Sequence, residues 1–234
     1  MRILIISQYF YPQNFKINDI SFFLKKKGFE VTVLTSKPNY PEGKFFKGYN
    51  FFNRNTEIIN GVKIIRTPTI PRLNGGFLGM ILNYLSFIFF GFFVFLFRIK
   101  NNYDLVFATQ LTPATSLLPM IWIKKRFKLP VILWVLDLWP DSFYANTSFR
   151  IKPLSKLIEK VSNQVYNNAD SILISSNYFK KPIMKRLDST KRFSFFPNWA
   201  EDVFYNNIKE IALKKFKYPD GFNIVFTGNI GESQ

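Results

Sequence analysis

The first thirty-six residues constrain the fold more than any other part of the chain. Residues 2–7 (RILIIS) form an unbroken apolar and β-branched run, the pattern of a central strand buried on both faces. After a loop at residues 8–14, Ile17, Ile20 and Leu24 recur at helical spacing, and Lys25, Lys26, Lys27 and Gly28 supply a C-terminal stop. Residues 30–36 (EVTVLTS) then read as a second strand. A strand, a crossover helix and a second strand lie side by side and parallel. The expected fold class is therefore α/β, with a doubly wound parallel sheet.

The rest of the chain extends that plan. Residues 37–55 read as a long loop, and Ile58-Ile59, Asn60-Gly61 and residues 62–65 form a hairpin signal. Further strands are predicted at 104–108, 131–135, 171–175 and 193–196. Helices are predicted over 113–127 and from Pro153 through Val165, the second with Leu154, Leu157, Ile158, Val161 and Val165 on one face. Residues 222–227 (FNIVFT) read as one more strand, leading into Gly228-Asn229-Ile230-Gly231. One strand and one loop cannot bury a core, so the reading is one complete α/β domain over 1–200 and an incomplete second one over 201–234.

Composition closes off several chemistries. With no histidine and no cysteine, a Ser-His-Asp triad, an imidazole base, a thiol nucleophile, a disulfide and a His- or Cys-ligated metal are all impossible. Acid–base work falls to Asp, Glu, Lys or Tyr. The net charge of +17 favours anionic partners, whether nucleic acid, acidic lipid or phosphorylated small molecules. The basic residues mostly end helices and accompany no nucleic-acid motif, so nucleic acid is not the expected partner. The N-terminal apolar run is too short for a signal peptide, which points to the cytoplasm.

Residues 78–97 (LGMILNYLSFIFFGFFVFLF) contain no charge, and as a helix they extend roughly 30 Å. Three readings are open: a buried helix, a membrane span, or a helix packed on the domain with its other side in a lipid interface. A span would place the flanking strands on opposite sides of a bilayer. The interfacial reading is preferred, with Arg66, Arg72, Arg98 and Lys100 available to anionic headgroups.

Two loops follow predicted strands, where open α/β sheets bind ligands. Residues 137–142 (DLWPDS) place Asp137 against a substrate and Trp139 for stacking on a ring; equally, Asp137 caps a turn and Trp139 packs between layers. The loop at 8–14 (QYFYPQN) lacks the G-x-G-x-x-G fingerprint, which argues against an NAD enzyme, and suits either carbohydrate contact or packing. Gly228 and Gly231 suit a phosphate-facing turn or a plain one.

The segments MRILIISQYFYPQNFKINDIS, EVTVLTSKPNYPEG, DLVFATQLTPATSLL, WVLDLWPDS, ADSILISS, FPNWAED and FTGNIGESQ together resemble the retaining glycosyltransferases of family 4. These have two Rossmann-like domains in the GT-B arrangement. The resemblance is nearest to bacterial O-antigen and capsule enzymes such as N-acetylfucosamine transferases. It implies transfer from a nucleotide sugar, UDP-linked, to a lipid-diphosphate-linked acceptor at the inner face of the cytoplasmic membrane, where the protein would sit peripherally or monotopically. No metal or other cofactor is implied. By position, Asp137 is catalytic. Gly228, Asn229, Gly231 and Asn198 lie on the donor side, and Tyr9, Tyr11, Asn14 and Trp139 on the acceptor side. Many members carry histidine where this chain has Leu136, and the family's donor-phosphate and ribose residues fall beyond Gln234. The expectation is a chain inactive without a C-terminal domain; the alternative is a non-catalytic membrane-bound partner of a separately encoded donor domain.

Overall fold

The computed structural model describes residues 1–145, 152–200 and 219–226. The chain divides into two units, Met1–Phe196 and Pro197–Gln234. In the first unit, β1 (Arg2–Ile6), α1 (Lys16–Lys26) and β2 (Glu30–Ser36) form the opening crossover. The hairpin strands β3 (Thr56–Ile59) and β4 (Val62–Thr67) come next, then the long helix α2 (Phe77–Arg98). After β5 (Leu105–Gln110) come α3 (Leu118–Phe127), β6 (Val131–Val135), the short α4 (Asp141–Ala145) and α5 (Lys152–Asn167). The unit ends with β7 (Ser171–Ile174), α6 (Lys180–Met184) and β8 (Arg192–Phe195).

The strands make one sheet in the order β3-β4-β2-β1-β5-β6-β7-β8, and every pairing but β3 with β4 is parallel. The doubly wound parallel sheet expected from the sequence is present. Its central strands bury both faces, which explains their continuous Ile, Val and Leu runs. β1 has β2 on one side and β5 on the other, with Ile3 beside both Val31 and Leu105. The strand order therefore reverses at β1, and a reversal of this kind opens a crevice at the carboxyl edge.

Local chemistry sets the element ends. α1 stops where Gly28 turns left-handed at φ +88°, with the Gly28 N–H donating to the Lys25 carbonyl and the Phe29 N–H to Leu24. The hairpin turns through Asn60 and Gly61, both at positive φ, as a two-residue turn of this hand requires. The predicted helix at 113–127 instead begins as a 3-10 turn at Ala114–Leu117 before α3.

α2 lies against the sheet with Asn83, Ser86, Phe87, Val94 and Phe95 buried. Its inner side is sewn down by polar groups. Asn83 accepts from Gln8 at 3.1 Å and donates to the Ile70 carbonyl at 2.6 Å, while the Ile70 N–H donates to Ser86 at 2.9 Å. At Gly79 any Cβ would sit 2.1 Å from the Arg72 carbonyl oxygen, so only glycine lets the helix approach. The outer side exposes Leu78, Ile81, Leu85, Phe89, Phe92, Phe93, Leu96 and Phe97. The helix is long and apolar enough to cross a membrane. β4 and β5, the strands on either side of it in the chain, nevertheless belong to one sheet, which a bilayer between them would not permit.

In the second unit, residues 222–226 are exposed and form no strand, contrary to the expectation for 222–227. Among the described residues they have no neighbouring strand to take their N–H and C=O groups, and an isolated strand is not stable in water. Thr227 and the turn bearing Gly228, Asn229 and Gly231 lie outside the described residues.

Candidate active site at the carboxyl ends of the strands

Asp137 sits two residues past β6, on the same edge as the ends of β1 and β5. Its carboxylate accepts from the Thr112 hydroxyl, and the Trp139 indole donates to that hydroxyl at 3.1 Å. The backbone is held from behind. Gln110, the last residue of β5, donates to the Asp137 carbonyl at 3.0 Å and to the Tyr166 hydroxyl at 2.9 Å, and Tyr166 donates to the Trp139 carbonyl at 2.7 Å. Burial pushes the Asp137 carboxyl above the usual carboxylate range, against the pull of hydrogen bonds from Ser142, Trp139 and the Leu138 N–H. A half-buried acid on a fixed loop is suited to meeting a polar hydrogen of a substrate.

The aromatic residues of the two loops are placed less openly. Trp139 is only 5% exposed and packs with Ala114, Ile158 and Phe143, so its ring belongs to the core rather than to a stacking platform. Tyr9 is 3% exposed, stacked 5.1 Å from Phe15, with its hydroxyl bonded by Arg72. In both cases packing wins because a large ring at a strand end buries more apolar area inward than it could offer a ligand. Tyr11 and Asn14 are exposed at the mouth. Asn18 steadies the loop, accepting from the Tyr11 N–H at 3.0 Å and donating to the Gln13 carbonyl at 2.7 Å. Asn198 is exposed in the second unit. Asp141, four residues past Asp137, is held by Arg186 at 3.1 Å.

The sequence reading missed Gln110, Thr112 and Tyr166, the residues that hold the Asp137 loop. Gln110 and Thr112 do lie in the TQLTP stretch after β5, a position that marks ligand-facing loops. Nothing local marks Tyr166, which reaches the site from 27 residues further along the chain.

No family model and no curated protein matches the sequence. Solved structures do match the fold. The chain superposes on sucrose-phosphate synthase from Thermosynechococcus elongatus with a TM-score of 0.62 at 13% identity, covering 91% of this chain and 52% of that one. A second sucrose-phosphate synthase structure from that organism gives 0.52 at 11% identity, covering 90% of this chain and 97% of that chain. The Arabidopsis thaliana glycosyltransferase UGT89C1, complexed with UDP, gives 0.52 at 11% identity, over 86% of this chain and 49% of that one. The chain thus spans about half the length of two of these neighbours. Its mixed α/β architecture, with an eight-stranded and mostly parallel sheet, is that of GT-B glycosyltransferases.

Proposed function

We propose that this chain supplies the acceptor-binding lobe of a family 4 glycosyltransferase. In this reading a sugar passes from a nucleotide sugar, UDP-linked, to a lipid-diphosphate-linked acceptor during bacterial surface polysaccharide synthesis. The acceptor hydroxyl oxygen bonds to the anomeric carbon, the nucleoside diphosphate departs with its bonding electrons, and the hydroxyl proton is lost. The observation that carries the reading is Asp137, fixed by Thr112 and Gln110 at the carboxyl edge of a GT-B-type sheet. Its role is to orient the acceptor hydroxyl and draw on its proton, which a carboxylate of raised pKa does well near neutrality. Tyr11 and Asn14 line the acceptor side. Gly228, Asn229, Gly231 and Asn198 belong to the donor side, and completing it requires a further C-terminal lobe.

The outward apolar face of α2 supports work at a lipid surface. The reading makes that helix an interfacial anchor on the cytoplasmic face of the membrane, with the net charge of +17 attracting anionic lipid. A transfer assay tests the catalytic part. The 234 residues alone are expected to transfer nothing, and a nucleotide-binding lobe supplied as a separate chain should restore transfer. In that mixture Asp137→Asn should lower kcat by about a hundredfold or more. Undiminished turnover by the variant would sink the assignment of Asp137, and transfer by the 234 residues alone would sink the need for a second lobe.

A further inference from the structure

A second charged centre lies on the same edge of the sheet, beyond β4. Arg72 stands among three tyrosine rings, its guanidinium 5.2 Å from the centroid of Tyr9, 5.0 Å from Tyr40 and 5.4 Å from Tyr84. Its Nη2 donates to the Tyr9 and Tyr84 hydroxyls, the latter at 2.9 Å. Its Nε is buried without any partner. Among the described residues no carboxylate lies within ion-pair distance of it, whereas the neighbouring buried Arg66 is paired with Glu57.

The tyrosines do not neutralise this charge. Burial pushes the hydroxyls of Tyr9 and Tyr84 upward, so both remain protonated near neutrality. They aim the guanidinium and leave its positive charge uncompensated. A neighbouring segment adds more of the same sign: Lys37 is fully buried, with its ammonium on the Asn53 carbonyl and, at 2.8 Å, on Asn55. Asn39 ties the two segments together, donating to the Lys37 carbonyl at 2.8 Å and accepting from the Arg72 N–H at 3.3 Å. An aimed guanidinium on a half-buried residue, without a counter-ion among the described residues, matches a phosphate, whose oxygens accept from its fork of donors.

We infer that Arg72 is the docking point for a phosphate of the acceptor's lipid diphosphate, an inference that rests on the acceptor-lobe reading above. The geometry accounts for both ends of such a molecule. The Arg72 carbonyl packs on Gly79 in the first turn of α2, and the exposed apolar face of that helix starts beside it at Phe77 and Leu78. In this reading the hydrocarbon chain of a lipid whose phosphate is held at Arg72 runs along Leu78, Ile81 and Leu85.

Calorimetric titration of the 234-residue chain tests this with inorganic pyrophosphate and, separately, farnesyl diphosphate. Both should bind, farnesyl diphosphate more tightly, and Arg72→Met should weaken both by about tenfold or more. Leu85→Glu should remove only the advantage of the farnesyl compound. Attachment to phosphatidylglycerol vesicles should survive Arg72→Met. If Arg72→Met does not fold by circular dichroism, Arg72→Lys takes its place, since it keeps a cation and loses the fork. Absence of binding by the wild-type chain, or equal pyrophosphate affinity in a folded variant, overturns the inference. So does a variant that loses vesicle attachment while binding diphosphates normally. In the mixture with the nucleotide-binding lobe, sugar transfer with an unchanged KM for the acceptor in Arg72→Met would overturn this site alone. Diphosphate binding without any transfer in the mixture with the nucleotide-binding lobe would leave the site standing and remove the transferase reading.

Discussion

α2 and α5 are both long helices packed on the same sheet, and they are built inside out relative to each other. α5 turns Ile158, Val165 and Tyr166 inward and presents Lys152, Lys156 and Lys160 to solvent, with Leu154 and Leu157 as scattered apolar exceptions. α2 buries Asn83 and Ser86, bonded to Gln8 and to the backbone of Ile70, and exposes a continuous apolar face that includes Leu85 at 57% and Phe89 at 59%. A water-facing helix gains nothing from that arrangement, because each exposed leucine or phenylalanine forgoes roughly 1.5–3 kcal/mol of burial. The contrast teaches that α5 is finished within the domain, while α2 leaves an apolar face that the proposed function assigns to a lipid surface.

The contrast is broken or upheld most decisively on the outer faces. Leu85→Glu with Phe89→Glu should reduce cosedimentation with phosphatidylglycerol vesicles by more than about tenfold, since two apolar contacts are lost and two repelled charges gained. Leu157→Glu on α5 should change it by less than about twofold. Equal losses at the two helices, or undiminished sedimentation of the α2 variant, would make the interfacial reading wrong.

The inner faces come next. Asn83→Leu strands the Gln8 amide and the Ile70 carbonyl, and denaturant unfolding should show a loss of about 2–4 kcal/mol. Ser162→Ala in α5 should cost less than about 1 kcal/mol, because that hydroxyl only bonds the Ile158 carbonyl of its own helix. If the two substitutions cost the same, the polar seam under α2 is not what holds it.

A smaller effect sharpens the comparison through pH. On the α2 side, burial, then the nearby Arg66, lowers Lys37 to about 8. Between pH 8 and the ordinary lysine value the unfolded chain binds the extra proton, so stability should rise by on the order of 1 kcal/mol as pH climbs toward 10. Above that, the raised tyrosines hold protons the unfolded chain sheds, and stability should fall. Lys37→Met should flatten the rise.

On the α5 side the sign is opposite. Asp137 has a raised pKa, so the native state holds its proton longer than the unfolded one, and stability should fall as pH rises above about 4. Asp137→Asn should remove that fall and leave the protein slightly more stable at pH 7. A variant less stable than wild type at pH 7 would show that the acid is held comfortably as a carboxylate.

Much of the fold was legible because it is written locally. The Ile and Val runs of β1 and β2, the Gly28 stop and the Asn60-Gly61 turn each depend on a few adjacent residues, and all recur in the structure. Asp137 could be placed at the carboxyl edge of the sheet from its position after a strand. The strand expected at 222–227 failed for the complementary reason: sequence can mark a segment as strand-like, but a strand exists only where a neighbour takes its hydrogen bonds.

The residues around the site were legible only in part. Tyr9 and Trp139 stood out as aromatic loop residues, yet whether a ring faces a ligand or the core depends on the layer above it. Arg72 was noted only as one of several basic residues near an apolar helix. Its distinction comes from Tyr9 and Tyr84, 63 and 12 residues away, and from the absence of a carboxylate partner among the described residues.

The amino-acid order alone determined a parallel α/β sheet, a chemistry without imidazole or thiol, and an uncharged helix of membrane-spanning length. Tertiary structure decided which side of that helix faces inward and that Arg72, among the described residues, has no carboxylate beside it. Periodicity measures how residues repeat along one element. The direction each side faces, and the partners it meets across the sheet, are fixed only when strands distant in the chain come into register.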